Sequence, residues 1–227
     1  MSADRARSAP EAVAGAITDE ILDGALPMGS WLREEQVSAR FGVGRHTARS
    51  AIQLLATRRL VVHERNRGAR VPELTIDRVD EVFAYRSVIE IGSLRLALGR
   101  GADLTPVFQA VTALADLPAD SSWRELTRAH GDIHHAIVAA AGNERLMHAY
   151  TDCELELRML LSAIRPEFSK KRLVALHRAL ADGLRIGGEP AVRALADDIE
   201  LAGRAALLHA LRERAPQSAQ TGRDSTS

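Results

Sequence analysis

Residues 33–58 read REEQVSARFGVGRHTARSAIQLLATR, and this stretch decides the fold. Its apolar positions predict a short helix over Arg33–Phe41, with Val37 and Phe41 inward. Gly42-Val43-Gly44 interrupts the pattern, and a second helix fits Arg45–Arg58, with Ala48, Ala51, Ile52 and Leu55 inward. Two short helices joined by a glycine-containing turn have the form of a helix-turn-helix, here about residues 33–53. Upstream, Val13, Ala16, Ile17 and Ile21 recur at helical spacing over Glu11–Asp23, and Gly24 is a stop signal. Downstream, Leu60–His63 and Ala69–Val71 are β-like and flank Glu64-Arg65-Asn66-Arg67-Gly68, which predicts a hairpin over about residues 60–72. Three helices and a hairpin make a winged helix over residues 11–74.

Beyond Pro72 the texture changes to helical periodicity alone. It fits Ile76–Arg100, Pro106–Leu117, Ser122–Ala141, Glu144–Ile164, Glu167–Ile186 and Glu189–Arg214, with glycine and proline breakers between them. The expected fold is mainly α: an N-terminal winged helix-turn-helix, then an all-α antiparallel bundle of about six helices over residues 76–214. Residues 1–10 and 215–227 lack periodicity and read as disordered tails.

Composition narrows the function. The chain has 227 residues, 38 of them alanine, and only 4% are aromatic, a helix-forming balance. One cysteine, Cys153, excludes a disulfide framework, and its helical register with Leu157 and Leu160 places it in a core. No apolar run approaches the ~18 residues of a membrane span, and the N-terminus does not read as a signal peptide. The expected setting is the reducing cytoplasm. The formal net charge is zero, yet Arg33–Val71 holds nine arginines against three glutamates, a local +6 that leaves −6 elsewhere. A basic segment on a neutral chain points to a polyanion.

Arg45 and Arg49 lie four residues apart on one helix face, at the end that enters a major groove, with His46 and Thr47 beside them. Arg65, Asn66 and Arg67, with Gly68, form a basic hairpin tip suited to a minor groove. The predicted partner is therefore a double-stranded DNA operator. Residues 17–72 resemble the winged-helix domain of the GntR family of bacterial transcription regulators. The matching stretches are Ile17…Ile21…Gly24-Ala25-Leu26-Pro27-Met28-Gly29, Leu32…Glu34…Val37, Phe41-Gly42-Val43-Gly44-Arg45…Thr47…Arg49…Ala51-Ile52…Leu54-Leu55 and Arg67-Gly68-Ala69…Val71. The resemblance implies that Arg45, Thr47, Arg49 and Gly68 meet DNA. Gly44, Ser50 and Glu35 depart from the family pattern, which usually has a hydroxyl residue, a glutamate and, in some members, an arginine there.

A second constellation lies in the helical part. His130 and His134 are one turn apart on a face shared with Trp123, Leu126, Ile137 and Val138, and His177 shares a face with Leu173, Leu180 and Leu184. Three inward imidazoles are either hydrogen-bonded core residues or ligands to one divalent transition metal such as zinc, nickel or manganese. Tyr85-Arg86…Ile89-Glu90, Ile133-His134 with Ala140-Ala141-Gly142-Asn143, and His177 with Gly187-Gly188 resemble the FadR-like subgroup with its helical (FCD-type) effector domain. Many such domains hold a metal with one aspartate and three histidines. The resemblance assigns His134 and His177 to two of those histidines and His130 to the place of the aspartate. The last histidine falls on Ile199, so Ile199→His is expected to tighten the site. Arg86 matches an arginine near the effector cavity, and by spacing alone it equally fits an ion pair with Glu90.

The function these residues predict is a homodimeric repressor, not an enzyme, released from its operator by a small carboxylate-like effector in the helical domain. Two other readings are a constitutive DNA-binding protein whose bundle only dimerises and, more remotely, a metal-dependent hydrolase.

Overall fold

The computed structural model describes residues 8–64, 67–162 and 169–214. Helix α1 spans Ala9–Asp23. It starts two residues before the expected helix, inside the segment read as a tail. Ser8 caps it, and Glu11 reaches back to the Ser8 backbone N–H at 2.8 Å, so two orphan donors of the first turn are satisfied. The remainder of the expected tails lies outside the described residues.

Strand β1 (Trp31–Leu32), helix α2 (Glu34–Phe41), helix α3 (Arg45–Thr57) and strands β2 (Val62–Glu64) and β3 (Gly68–Arg70) follow. The strands form an antiparallel sheet in the order β1-β3-β2, with Leu32 opposite Ala69 and His63 opposite Ala69 on the other side. Strand β1 has no counterpart in the sequence reading, because two residues between a turn and a helix are too few to show a period of two. Gly68 opens β3 with φ 100°, and a Cβ there would lie 3.2 Å from the Leu32 carbonyl oxygen. Both facts restrict the position to glycine. Ile17, Ile21, Val37, Ile52, Leu55 and Leu60 close a buried core under this sheet.

Helices α4 (Ile76–Gly99), α5 (Thr105–Asp116), α6 (Trp123–Ala139), α7 (Glu144–Ser162), α8 (Lys170–Ile186) and α9 (Gly188–Asp197) build the bundle. Helix α5 packs on α6 and α8, while α4 crosses α6, α7 and α9. A second buried cluster runs through Phe83, Leu94, Ile133, Leu160, Leu180 and Leu207. Cys153 is buried with Val138 and Tyr150, as its register predicts.

The last expected helix, Glu189–Arg214, is not continuous. Helix α9 passes into a π-helical segment, Asp198–Arg204, before helix α10 resumes at Ala205–Arg214. A π turn holds more residues than an α turn, so it rotates the face the chain presents. Gly203 allows this segment to press on α4: a Cβ there would lie 2.8 Å from Phe83 Cε1 and 3.6 Å from Arg86 Nη1.

The two cores touch. Met159 of α7 is fully buried in the winged-helix core. Arg124 of α6 pairs with Asp19 and, at 3.5 Å, with Asp23 of α1. Arg78 of α4 donates to the Arg59 carbonyl at 3.1 Å and pairs with Glu156 of α7.

Candidate functional site

The expected DNA-facing residues lie on the outer surface of α3. Gly44 occupies its N-cap without a side-chain bond, so the first-turn N–H groups remain available. Arg45 and Arg49 are exposed along one face, His46 is exposed between them, and Thr47 is half-buried. Both arginines are held by the preceding helix. Arg49 donates to both carboxylate oxygens of Glu34 at 2.8 and 2.9 Å, and Arg45 lies 3.4 Å from Glu35. The hydrogen bond from Arg49 keeps the Glu34 carboxyl below the usual carboxylate range. These pairs are solvated, so they orient the guanidinium groups at little energetic cost to their exchange for phosphate. Arg67 is exposed at the wing tip, 4.0 Å from Glu64, and Gly68 follows it. Arg65 and Asn66 lie outside the described residues.

The histidines converge. His130 and His134 from α6 and His177 from α8 are all buried, with one ring nitrogen from each within 4.8 Å of the others. His177 Nδ1–H donates to the Leu173 carbonyl at 2.8 Å, which leaves the Nε2 lone pair facing inward. His134 Nδ1 lies 2.8 Å from Glu90 Oε2, which likewise assigns the proton to Nδ1 and leaves Nε2 as the acceptor. The two Nε2 atoms are 3.4 Å apart. Two lone pairs at that distance repel, and Arg86 Nη2, 2.9 Å from His134 Nε2, is the donor that relieves this. The edge of a tetrahedron with metal–nitrogen bonds of about 2.0–2.1 Å is about 3.3–3.4 Å, so the spacing suits two ligands of one ion.

The protonation states agree. Burial holds the His130 imidazole well below its ordinary pKa, and the neighbouring imidazoles and the Arg86 guanidinium disfavour a further positive charge there. Burial also lowers His177, with Asp198 opposing it. Both are neutral near pH 7, the form that ligates.

Sequence reasoning missed two acidic members of the site. Asp198, at the start of the π-helical segment, brings a carboxylate oxygen to 3.5 Å from His134 Nε2 and another to 3.9 Å from His177 Nε2. Ile199, by contrast, is fully buried in the apolar core. Asp198, the residue before it, is the one that reaches the chamber, at the junction of α9 and the π-helical segment. Ile199→His would bury an imidazole among aliphatic side chains and is no longer expected to tighten the site. The other member is Glu90. It pairs with Arg86 one turn earlier, and both are almost completely buried. Burial alone would raise the Glu90 carboxyl, but Arg86 and His134 outweigh it and hold the group at about 2. Burial alone would lower Arg86, and Glu90 again outweighs it, so the guanidinium stays charged.

The ion pair expected of Arg86 is present, and the residue also faces the histidines. It pairs with Glu90 and also lines the chamber, where its Nη2 donates to the His134 ring, 2.8 and 2.9 Å from its two nitrogens. Trp123, Thr127, Leu161, Leu173 and Gly203 complete the wall. The chamber volume is about 20 Å³, room for an ion or a water molecule. Trp123 Nε1 is buried and lacks an acceptor among the described residues.

A winged helix that presents arginines from its recognition helix, set on an all-α domain with a buried polar chamber, is the build of a ligand-responsive DNA-binding regulator. Comparison with known proteins gives the family. Residues 10–71 match the bacterial regulatory proteins of the gntR family, and residues 81–202, more than half the chain, match the FCD domain. The chain belongs to the GntR family, in its FCD-containing branch, and is a DNA-binding transcription regulator. It is 26% identical over 195 residues to a protein of Paenarthrobacter nicotinovorans named "Probable D-xylose utilization operon transcriptional repressor", covering 82% of this chain and 85% of that one. It is 28% identical over 137 residues to the transcriptional repressor GlaR of Escherichia coli K12, covering 58% and 62%. Among solved structures, a GntR regulator from Rhodococcus sp. RHA1 superposes with a TM-score of 0.74 at 27% identity, covering 89% of this chain and 99% of that one. Among the described residues no helix is long and apolar enough to cross a membrane.

Proposed function

We propose that this regulator is a homodimeric repressor whose helical domain holds a divalent transition metal and a carboxylate effector, and whose operator affinity falls when the effector binds. The observation that carries the reading is the chamber: three buried histidines with one ring nitrogen each within 4.8 Å of the others, two of them on α6, which also packs on α1. His130, His134 and His177 would ligate the ion, with Asp198 beside them, and an ion supplies a Lewis-acidic position for a carboxylate. With His134 Nε2 given to an ion, Arg86 Nη2 would be free to offer a guanidinium edge to the same carboxylate.

Coupling to DNA follows from the shared helices. Trp123 lines the chamber and its neighbour Arg124 grips α1. Leu161 lines it and Met159, half a turn away, is buried in the winged-helix core. Arg86 lines it and Arg78, two turns earlier, holds the turn after α3. An effector that shifts α4, α6 or α7 therefore re-aims the reading head, provided effector and DNA favour different placements.

At the operator, Arg45 and Arg49 exchange their glutamate partners for base edges or phosphates, with His46 and Thr47 between them, while Arg67 and Gly68 follow the minor groove together with Arg65 and Asn66. Arg45→Ala and Arg49→Ala should each weaken specific binding by about 1–3 kcal/mol. Glu35→Arg should instead raise affinity for all sequences and steepen the salt dependence by about one phosphate contact. Gel shifts across a salt series check both. Unchanged operator affinity in both alanine variants sinks this reading head.

The dimer has a candidate surface in α4. Tyr85, Val88 and Leu96 are 44%, 73% and 39% exposed, and with Gly92 they form a stripe on one helix face. A stripe of this kind on a long helix fits its own copy across a two-fold axis. Val88→Asp should shift the sedimenting species from dimer to monomer and weaken binding to an inverted repeat far more than to a half-site. A wild-type monomer in sedimentation at micromolar concentration contradicts the assignment.

A further inference from the structure

The chamber among the histidines has room for an ion or a water molecule. At about 20 Å³ it is too small for a metabolite. Directly outside it lies an open groove of about 370 Å³ between α8, α9 and the π-helical segment. The two spaces share Leu176, Asp198 and Ala202 as a common wall. The groove is apolar along most of its length, through Leu176, Leu180, Ala194 and Leu201, and Leu201 is 69% exposed at its rim. Its charged residues are Arg172 and Asp197, which offset one another, and Asp198 at the wall shared with the chamber.

Formal charge at the inner end is equally specific. Arg86 contributes one positive charge, and Glu90 and Asp198 one negative charge each. A divalent ion on the neutral histidines brings the total to +1, which a single carboxylate neutralises and two overcompensate.

Resting on the reading of the chamber as an ion and effector site, we propose that the effector is an amphiphilic monocarboxylate. Its carboxylate reaches the ion at the wall shared by the two spaces, beside Leu176 and Ala202, and its aliphatic tail lies in the α8–α9 groove. A dicarboxylate places its second charge among leucines. A sugar or sugar acid leaves its hydroxyls against apolar walls, where unpaired polar groups are costly. This ligand class differs from the sugar in the name of the Paenarthrobacter relative.

The test uses the full-length protein loaded with nickel or zinc, its metal content fixed by elemental analysis. Calorimetry with the straight-chain alkanoates from acetate to octanoate, succinate and D-gluconate gives the affinities. The chain has two tryptophans, so Trp31→Phe leaves Trp123 as an optical reporter of the chamber. Affinity should rise about three- to fourfold per added methylene until the groove is filled. Succinate should bind at least about tenfold more weakly than butanoate, and gluconate should bind no better than acetate. Leu201→Asp should flatten the series while metal content and acetate affinity stay at wild-type values. A flat series in metal-loaded wild type, or tighter binding of succinate or gluconate, overturns the ligand assignment alone. Failure to take up any of these metals overturns the ion reading beneath it and the assignment with it.

Discussion

Glu90→Ala should lower the stability of the protein by about 3–5 kcal/mol, the largest effect expected of any single substitution in the bundle. The carboxylate is fully buried and sits between Arg86 and His134. Removing it leaves the Arg86 guanidinium, 2% exposed, without a counter-charge in a low-dielectric interior. Arginine cannot relieve this by losing its proton. The loss corresponds to a fall of roughly 10 °C or more in the unfolding midpoint for a chain of this size. Glu90→Gln keeps an acceptor for Arg86 and should cost less. The double variant Glu90→Leu with Arg86→Met removes both charges and should recover much of the loss. A midpoint within about 2 °C of wild type for Glu90→Ala would show that water reaches this pair.

The pH dependence follows from the same groups. The folded pKa values of Glu90, His130 and His177 lie below their ordinary values. A group lowered in this way stabilises the fold above its unfolded pKa, and that contribution is lost as pH falls through the folded value. The two histidines begin to lose theirs below about pH 6.5, and Glu90 loses its own below about 4.5 towards 2. Metal-stripped protein should therefore melt at progressively lower temperature from pH 7 to pH 5, with a further fall below pH 4.5.

His134→Ala should reduce metal affinity at least roughly 100-fold, since even the partners of ligating residues are commonly worth 10- to 100-fold. It removes one of two inward Nε2 lone pairs and also the donor to Glu90. His177→Ala should lose the metal to a similar degree with less damage to the fold, because Glu90 and Arg86 keep each other. In wild type, metal affinity should fall below about pH 6.5 as protons compete for the imidazoles. The winged helix has its own core, so His177→Ala should still bind DNA while losing any metal-dependent response. Elemental analysis across these variants is the check. Equal metal in wild type and His177→Ala would place the ion elsewhere.

The reading head was legible because its signals are local. Glycines at 42 and 44 break the chain between two amphipathic helices, and Gly68 closes the wing. Arginines four residues apart share a face in any helix. The bundle was legible for the same reason: periodicity and breakers predicted its helices to within a few residues, and the inward face of α6 already carried His130 and His134. Convergence of His177 with that pair was not. It depends on α5 packing on both α6 and α8, which brings together residues more than 40 positions apart, and spacing along the chain says nothing about it.

What tertiary structure alone decided is the acidic half of the site. Glu90 reads in sequence as one end of an i, i+4 pair, a motif that usually lies in water. Burial by surrounding helices turns it into the counter-charge that sets the proton on His134. Asp198 was hidden for a different reason. Helical periodicity assumes 3.6 residues per turn, and the π-helical segment abandons that count where α9 presses on α4. The sequence determined which helices form and which carry imidazoles. Packing decided which residue of the last one faces the histidines, and it is Asp198, with Ile199 turned into the apolar core.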